Sequence, residues 1–121
     1  QDISAPPSSE SLKETITVSL DDDKAQKVVV IDLKGKTAIA DYMVVASGNS
    51  QRQVSTMAEH LRKKLKSLGI KNVAVEGMSQ GDWVLIDGGD VIVHLFRPEI
   101  REFYELEKLW GDPMPRPGQV A

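Results

Sequence analysis

The chain has no cysteine, few aromatic residues and no long hydrophobic run. The lack of cysteine excludes a disulfide framework, a zinc site built from thiolates and a cysteine nucleophile, and it fits a reducing compartment. No apolar stretch approaches the roughly 20 residues that span a bilayer, and the N-terminus lacks the basic-then-apolar order of a signal peptide. The net charge of −3 is also unlike the overall basic charge of most free-standing nucleic-acid binders.

The remaining composition is that of a globular domain. A chain of 121 residues has room for one domain with a hydrophobic core, and 40% hydrophobic against 27% charged residues is an ordinary balance. We expect a flexible arm over residues 1–8, a single α/β domain over residues 9–112 and a disordered, proline-containing tail over residues 113–121.

Hydrophobic periodicity predicts helices and strands in the order α-β-β-α-β-β-β-α. The first helix should begin near Ser9, with Ser11 and Glu14 in a capping-box pattern, and end near Leu20. Apolar strands interleaved with amphipathic helices indicate an α/β fold, with a mixed five-stranded sheet between helices. The strands are expected at residues 27–33, 42–47 and 73–76 and in the two arms of a hairpin over residues 81–96.

The second helix has the clearest pattern. Ser50 and Gln53 can cap its start, and Gly69 followed by Ile70 is a typical helix end. One side of the helix carries an apolar stripe from Val54 to Leu68. The opposite side is commonly a solvated surface, and it is also a candidate for a minor contact with RNA phosphate on a larger assembly. Its basic residues are Arg62, Lys63, Lys64 and Lys66.

The segment GDWVLIDGGDVIVHLF, residues 81–96, reads as two strands joined by a Gly-Gly turn. The acids beside that turn are either solvated turn formers or await a cation, namely a metal or the basic side chains of a partner. The histidine is either packed within the sheet or has a ligand role. A turn at residues 88–89 predicts two pairs on one face of the sheet: Asp87 opposite Asp90, and Trp83 opposite His94.

Signals for catalysis are weak. The turn Ser47-Gly48-Asn49-Ser50 resembles the phosphate-binding turn of nucleotidyl transferases, but no following strand carries the paired acids that hold Mg²⁺ in such enzymes. A tight turn and a helix cap explain the glycine and the serine. The two histidines lie on different elements, and no G-x-S-x-G motif is present. We therefore expect no catalytic residue, no metal site and no cofactor.

Three blocks of the sequence resemble the ribosomal silencing factor family, also called the Iojap-like family. They are ADYMVVASGNSQRQV (residues 40–54), the hairpin at 81–96 and FYELEKLWGD (residues 103–112). The resemblance runs from about Leu12 to Asp112 and favours a slightly longer first helix. It implies a nucleotidyltransferase-like topology without the catalytic acids. It also implies binding to the large ribosomal subunit at large-subunit protein fourteen, a block on joining with the small subunit, and a homodimer when free.

The resemblance therefore implies a translational repressor of the bacterial cytoplasm that is not an enzyme. Organellar members assist assembly of the large subunit, so an assembly factor and an organellar location stay open, as does a divergent nucleotidyl transferase. Acidic and aromatic side chains in the three blocks would suit a basic ribosomal protein. The candidate partner-binding residues are Asp41, Tyr42, Arg52, Gln53, Trp83, Asp87, Asp90, His94, Tyr104 and Glu107.

Overall fold

The computed structural model of the chain describes the backbone of residues 7–104 and the side chains of residues 7–101. The predicted tail, most of the predicted arm and the end of the third predicted helix lie outside these residues. The predicted order of elements is confirmed. The elements are α1 (Ser9–Asp22), β1 (Gln26–Asp32), β2 (Tyr42–Ser47), α2 (Gln51–Ser67), β3 (Ala74–Glu76), β4 (Trp83–Asp87), β5 (Val91–Phe96) and α3 (Pro98–Tyr104).

The strands form one mixed sheet of five strands in the order β1-β2-β5-β4-β3. The pairs β1–β2, β4–β5 and β3–β4 are antiparallel, whereas β2 and β5 are parallel neighbours. A parallel pair needs a long crossover between its strands, and α2 lies within that crossover. The predicted mixed α/β fold is therefore confirmed, with β2 and β5 at the centre of the sheet.

Both faces of the central strands of the sheet are buried. Every residue of β2 and β5 is buried, which explains why these strands read as continuous apolar runs rather than as alternating ones. Helices α1 and α2 cover one face, and their buried residues include Leu12, Ile16, Val54, Met57 and Leu61. A second cluster occupies the other face: Leu33, Ala40, Met43, Val45, Trp83, Leu85, Ile92 and Phe96, with Ile31 and Ile100 packed against it.

The second helix ends as its sequence predicts. Gly69 has a φ of +92°, and the Ile70 N–H donates to the Leu65 carbonyl at 3.2 Å, which closes the last turn. Leu68 was expected in the apolar stripe but caps the helix and is 39% exposed. No helix within residues 7–104 combines the length and the apolar character needed to cross a membrane.

The predicted cap of the first helix was wrong. Ser8 is extended and accepts a hydrogen bond from the Ser11 N–H at 3.1 Å, so Ser11 lies inside the first turn. The helix also continues to Asp22, which places acidic residues in a last turn where the helix dipole disfavours them. The next residue, Asp23, contacts His60 of α2 at 2.7 Å and so joins the two helices.

Candidate functional site

The turn between β4 and β5 lies one residue later than the sequence suggested. The Gly88 N–H donates to the Val91 carbonyl at 3.0 Å, so the two turn residues are Gly89 and Asp90. Gly89 has a φ of +91°, and its N–H donates to Asp87 Oδ1 at 2.9 Å. A positive φ at the first turn position strongly favours glycine. The Asp87 carboxylate therefore stabilises the turn as well as ending β4.

The later turn changes which residues face each other. The observed pairs are Asp87 with Ile92, Leu85 with His94 and Trp83 with Phe96. The predicted oppositions of Asp87 to Asp90 and of Trp83 to His94 are therefore wrong. The predicted shared face of β4 and β5 is right, because a register change of two residues preserves the alternation of side chains.

Trp83, His94 and Phe96 form a packed aromatic group inside the chain. Trp83 is 6% exposed and His94 is 0% exposed. The indole Nε1 donates to His94 Nδ1 at 2.9 Å, and a nitrogen that accepts this bond belongs to a neutral imidazole. The Trp83 and Phe96 ring centroids lie 5.1 Å apart. The side chains of Trp83 and His94, two of the candidate partner-binding residues, therefore lie inside the chain and not on its surface.

Carboxylates gather at the end of the sheet where β1 stops and β2 begins. The Asp41 and Tyr42 N–H groups both donate to the Asp90 carbonyl, at 2.8 and 3.2 Å. Asp32 pairs with Tyr42 at the end of β1, and Asp87 ends β4. Asp32 and Asp90 are exposed, and the other two carboxylates are half-buried. We call Asp32, Asp41, Asp87 and Asp90 the acidic end.

The acidic end is a charged surface. Within the described part of the chain, no group of three or more His, Cys, Asp or Glu side chains is placed to hold a metal ion. Sequence reasoning missed Asp32. The signal for it was its position at the end of a strand whose antiparallel neighbour begins at Tyr42. A cluster of carboxylates at a sheet end attracts cationic side chains and raises the rate of association with a basic surface.

Tyr42 connects the acidic end to α1. Tyr42 is 6% exposed. Its hydroxyl donates to Glu10 Oε1 at 2.6 Å and accepts from Lys34 Nζ at 3.0 Å. The Lys13 and Lys34 ammonium groups lie 5.1 and 4.7 Å from the ring centroid. Hydrogen bonds from Lys13 and then Tyr42 lower the pKa of Glu10, and the bond to Tyr42 raises the pKa of Lys34. Tyr42 is thus mainly engaged within the chain.

Arg52 and Gln53 lie at the opposite end of the sheet, in the first turn of α2. Gln53 Oε1 accepts the Asn49 N–H at 2.6 Å, and Gln53 Nε2 donates to the Asp23 carbonyl at 3.2 Å. Gln53 therefore links the start of α2 to the end of α1. Arg52 is exposed. The structure thus brings Asp41, Tyr42, Asp87 and Asp90 together but places Arg52 and Gln53 away from them.

The last two candidate partner-binding residues lie at the end of α3 or after it in the sequence. Tyr104 is the final described residue of α3, without a described side chain, and Glu107 lies outside the described residues. The helix is held by Arg101, which is 7% exposed. Its Nη1 donates to the Lys27 carbonyl at 2.6 Å and to Ser47 Oγ at 3.1 Å. Arg101 therefore fastens α3 to the ends of β1 and β2 that lie opposite the acidic end.

Three N–H groups at the turn between β2 and α2 already have hydrogen-bond partners. The Gly48 N–H donates to the last carbonyl of β5 at 2.9 Å, and the Asn49 N–H donates to the Gln53 side chain. The Gln53 N–H donates to Ser50 Oγ at 3.0 Å, as the predicted cap requires. A phosphate bound here would have to displace these bonds. A Cβ added at Gly48 would lie 2.8 Å from Met57 Cε, so close packing explains the glycine.

Known proteins match most of the chain. A family model described as ribosomal silencing factor during starvation matches residues 6–119. The ribosomal silencing factor RsfS of Zymomonas mobilis is 52% identical over 102 residues, 84% of this chain and 77% of that protein. The mouse protein named mitochondrial assembly of ribosomal large subunit protein 1 is 38% identical over 91 residues, 73% of this chain and 40% of that protein. A crystal structure of a Chromobacterium violaceum protein has a TM-score of 0.83 and 35% identity, and the match covers 91% of this chain and 92% of that one.

Proposed function

The chain belongs to the ribosomal silencing factor family, and we propose that it is a translational repressor that binds the large ribosomal subunit at large-subunit protein fourteen. Bound there, it blocks joining with the small subunit. The repression needs occupancy alone, so no bond is made or broken and no cofactor takes part. The proposed place of action is the bacterial cytoplasm.

The observation that carries the proposal is the acidic end. Ribosomal proteins are generally basic because they lie on RNA, so a surface of carboxylates has complementary charge for one of them. The main chain at Asp41 and Asp90 is held by hydrogen bonds, and the Asp87 carboxylate accepts the Gly89 N–H. The main chain that carries these carboxylates is therefore ordered before binding, which lowers the entropy cost of binding. The acidic end, rather than the buried Trp83 and His94, is therefore the proposed contact with the ribosomal protein.

Assembly of the large subunit is the second candidate. The name of the mouse relative favours it, since that protein is named for assembly of the mitochondrial large subunit. Both candidates need a chain that binds the large subunit, and they differ in whether the bound chain prevents joining. A divergent nucleotidyl transferase receives little support, because the N–H groups of Gly48, Asn49 and Gln53 already have hydrogen-bond partners in the chain.

The docking test uses a double variant that removes charge and keeps geometry. Asp87→Asn with Asp90→Asn retains the side-chain oxygen that accepts the Gly89 N–H. Two partly exposed ion pairs at about 0.2–1 kcal/mol each predict roughly a two- to thirtyfold loss of affinity for large subunits. The matched control is Asp21→Asn with Asp22→Asn, which changes the net charge equally at exposed positions of α1.

Binding is measured by sedimentation with purified bacterial large subunits, and joining by light scattering after small subunits are added. The proposal predicts that the unaltered chain binds large subunits and lowers the yield of joined ribosomes, and that only the first variant binds more weakly. Equal binding by both variants would remove the acidic end from the interface. Binding that leaves joining intact would favour the assembly function.

A further inference from the structure

Helix α2 concentrates positive charge in an acidic protein. It holds five of the chain's 15 basic residues and one of its 18 acidic residues, which gives it a net charge of +4 in a chain of net charge −3. Lys63 is 68% exposed, and Lys64 and Lys66 are also exposed. We call Arg62, Lys63, Lys64 and Lys66 the basic face.

Part of this charge is balanced within the helix. Arg62 binds the Glu59 carboxylate through Nε, at 3.1 Å, and through Nη2, and Lys63 Nζ lies 4.0 Å from the same carboxylate. The hydrogen bond from Arg62 lowers the pKa of Glu59, because it stabilises the carboxylate form. One carboxylate cannot balance four cations. Favourable placement near the helix C-terminus explains Lys64 and Lys66 only in part, since the dipole corresponds to about half a charge.

The surroundings of the basic face determine what kind of polyanion fits it. The hydrophobic residues of α2 that are buried run from Val54 to Leu65, so the helix has no exposed apolar side for insertion into a membrane surface. The helix also has no Phe, Tyr or Trp on which single-stranded bases could stack. Cations without an apolar or aromatic component suit the regular phosphates of a double-stranded RNA backbone.

The basic face lies near the acidic end. A Cβ added at Gly88 would be 3.3 Å from Leu65 Cδ1, so the last turns of α2 lie beside the β4–β5 turn that carries Asp87 and Asp90. The helix turns that carry the basic face therefore pack beside the turn that carries two carboxylates of the acidic end. Resting on the proposed function, we propose that the basic face binds the phosphate backbone of ribosomal RNA beside the ribosomal protein that the acidic end engages.

The inference is tested with Lys63→Gln and Lys66→Gln in one variant. Affinity for purified bacterial large subunits is measured between 50 and 200 mM salt. Each lost phosphate contact should weaken binding on the order of tenfold at 50 mM salt and reduce the slope of log affinity against log salt by about one. The control Lys24→Gln with Lys27→Gln removes equal charge at exposed residues that follow α1, at the other end of the sheet, and should match the unaltered chain.

A variant that removes the carboxylate beside the basic face should change the affinity in the opposite direction. Glu59→Gln frees Arg62 and Lys63 from their shared carboxylate, so it should tighten binding severalfold and steepen the salt dependence. If the unaltered chain binds but the Lys63/Lys66 variant behaves like its control, the RNA contact is rejected while the proposed function stands. Weaker binding of the Lys63/Lys66 variant with an unchanged salt slope would also reject the RNA contact, and would favour a contact between the basic face and an acidic protein. No binding by the unaltered chain would reject both.

Discussion

Gly48 is the position at which a structural and a catalytic explanation of the β2–α2 turn differ most. A Cβ there would lie 2.8 Å from Met57 Cε, 3.1 Å from Val54 Cγ2 and 3.3 Å from the Val54 main-chain nitrogen. The glycine does not have a positive φ, so alanine would meet a packing conflict and no backbone strain. The methionine end can move, whereas the valine and the helix backbone have little room to do so.

The cost of Gly48→Ala follows from these contacts. Adding one methyl group to a tightly packed interior typically destabilises a protein by about 1–3 kcal/mol. For a domain of this size that corresponds to a fall in Tm of roughly 4–12 °C. Met57→Leu removes the atom that is nearest to the new methyl group, and alone should cost less than about 1.5 kcal/mol. The double variant should therefore be more stable than the sum of the two single effects predicts.

Urea unfolding measures the free energy of unfolding for the four proteins of this cycle. The expected result is a lower midpoint for Gly48→Ala with an unchanged slope, and partial recovery when Met57→Leu is added. A midpoint equal to that of the unaltered chain would refute the packing argument. Strict additivity in the cycle would show that the new methyl group does not conflict with Met57 and would leave Val54 as the source of the cost.

Two further predictions concern Tyr42 and Trp83, which the sequence predicts as partner contacts and which are buried in the structure. Tyr42→Phe should lower the Tm at pH 7 by a few degrees. The pKa of Glu10 is lower in the folded state than its usual value of 4.5, so its stabilising contribution is present above pH 4.5 and is lost as the pH falls through the folded-state pKa. The difference in Tm between the unaltered chain and Tyr42→Phe should therefore narrow at low pH. A difference that stays constant with pH would contradict the role of Glu10. Trp83→Phe removes the buried hydrogen bond to His94 and should reduce the free energy of unfolding, measured by urea titration, by about 1–3 kcal/mol. An unchanged urea midpoint would show that this hydrogen bond does not stabilise the fold.

Local sequence was sufficient for α2 and for the central strands. The apolar stripe, the Ser50 cap and the Gly69-Ile70 ending each depend on residues within one or two turns of the helix. The strands β2 and β5 are long apolar runs, and such runs are typical of strands buried on both faces. The mixed sheet followed from the alternation of these runs with helical segments.

The register of the hairpin depended on contacts outside it. Two adjacent glycines permit a turn at residues 88–89 or one residue later, and the hairpin sequence alone does not separate them. The Asp90 carbonyl accepts the N–H groups of Asp41 and Tyr42, which is possible because β5 pairs with β2. That pairing joins segments about fifty residues apart in the chain, so turn preferences could not reveal it.

The sequence by itself determined the chemical character of the chain: a cysteine-free α/β domain, with a family resemblance carried by three blocks, and with acids at the turns and cations on one helix. Only the tertiary structure decided which of these groups meet solvent. The alternation in β4 and β5 assigns Trp83 and His94 to a face but does not say whether that face is covered, because the covering residues come from elsewhere. The acidic end likewise exists because the sheet order places β1, β2, β4 and β5 side by side, so that carboxylates distant in the chain share one end of the sheet.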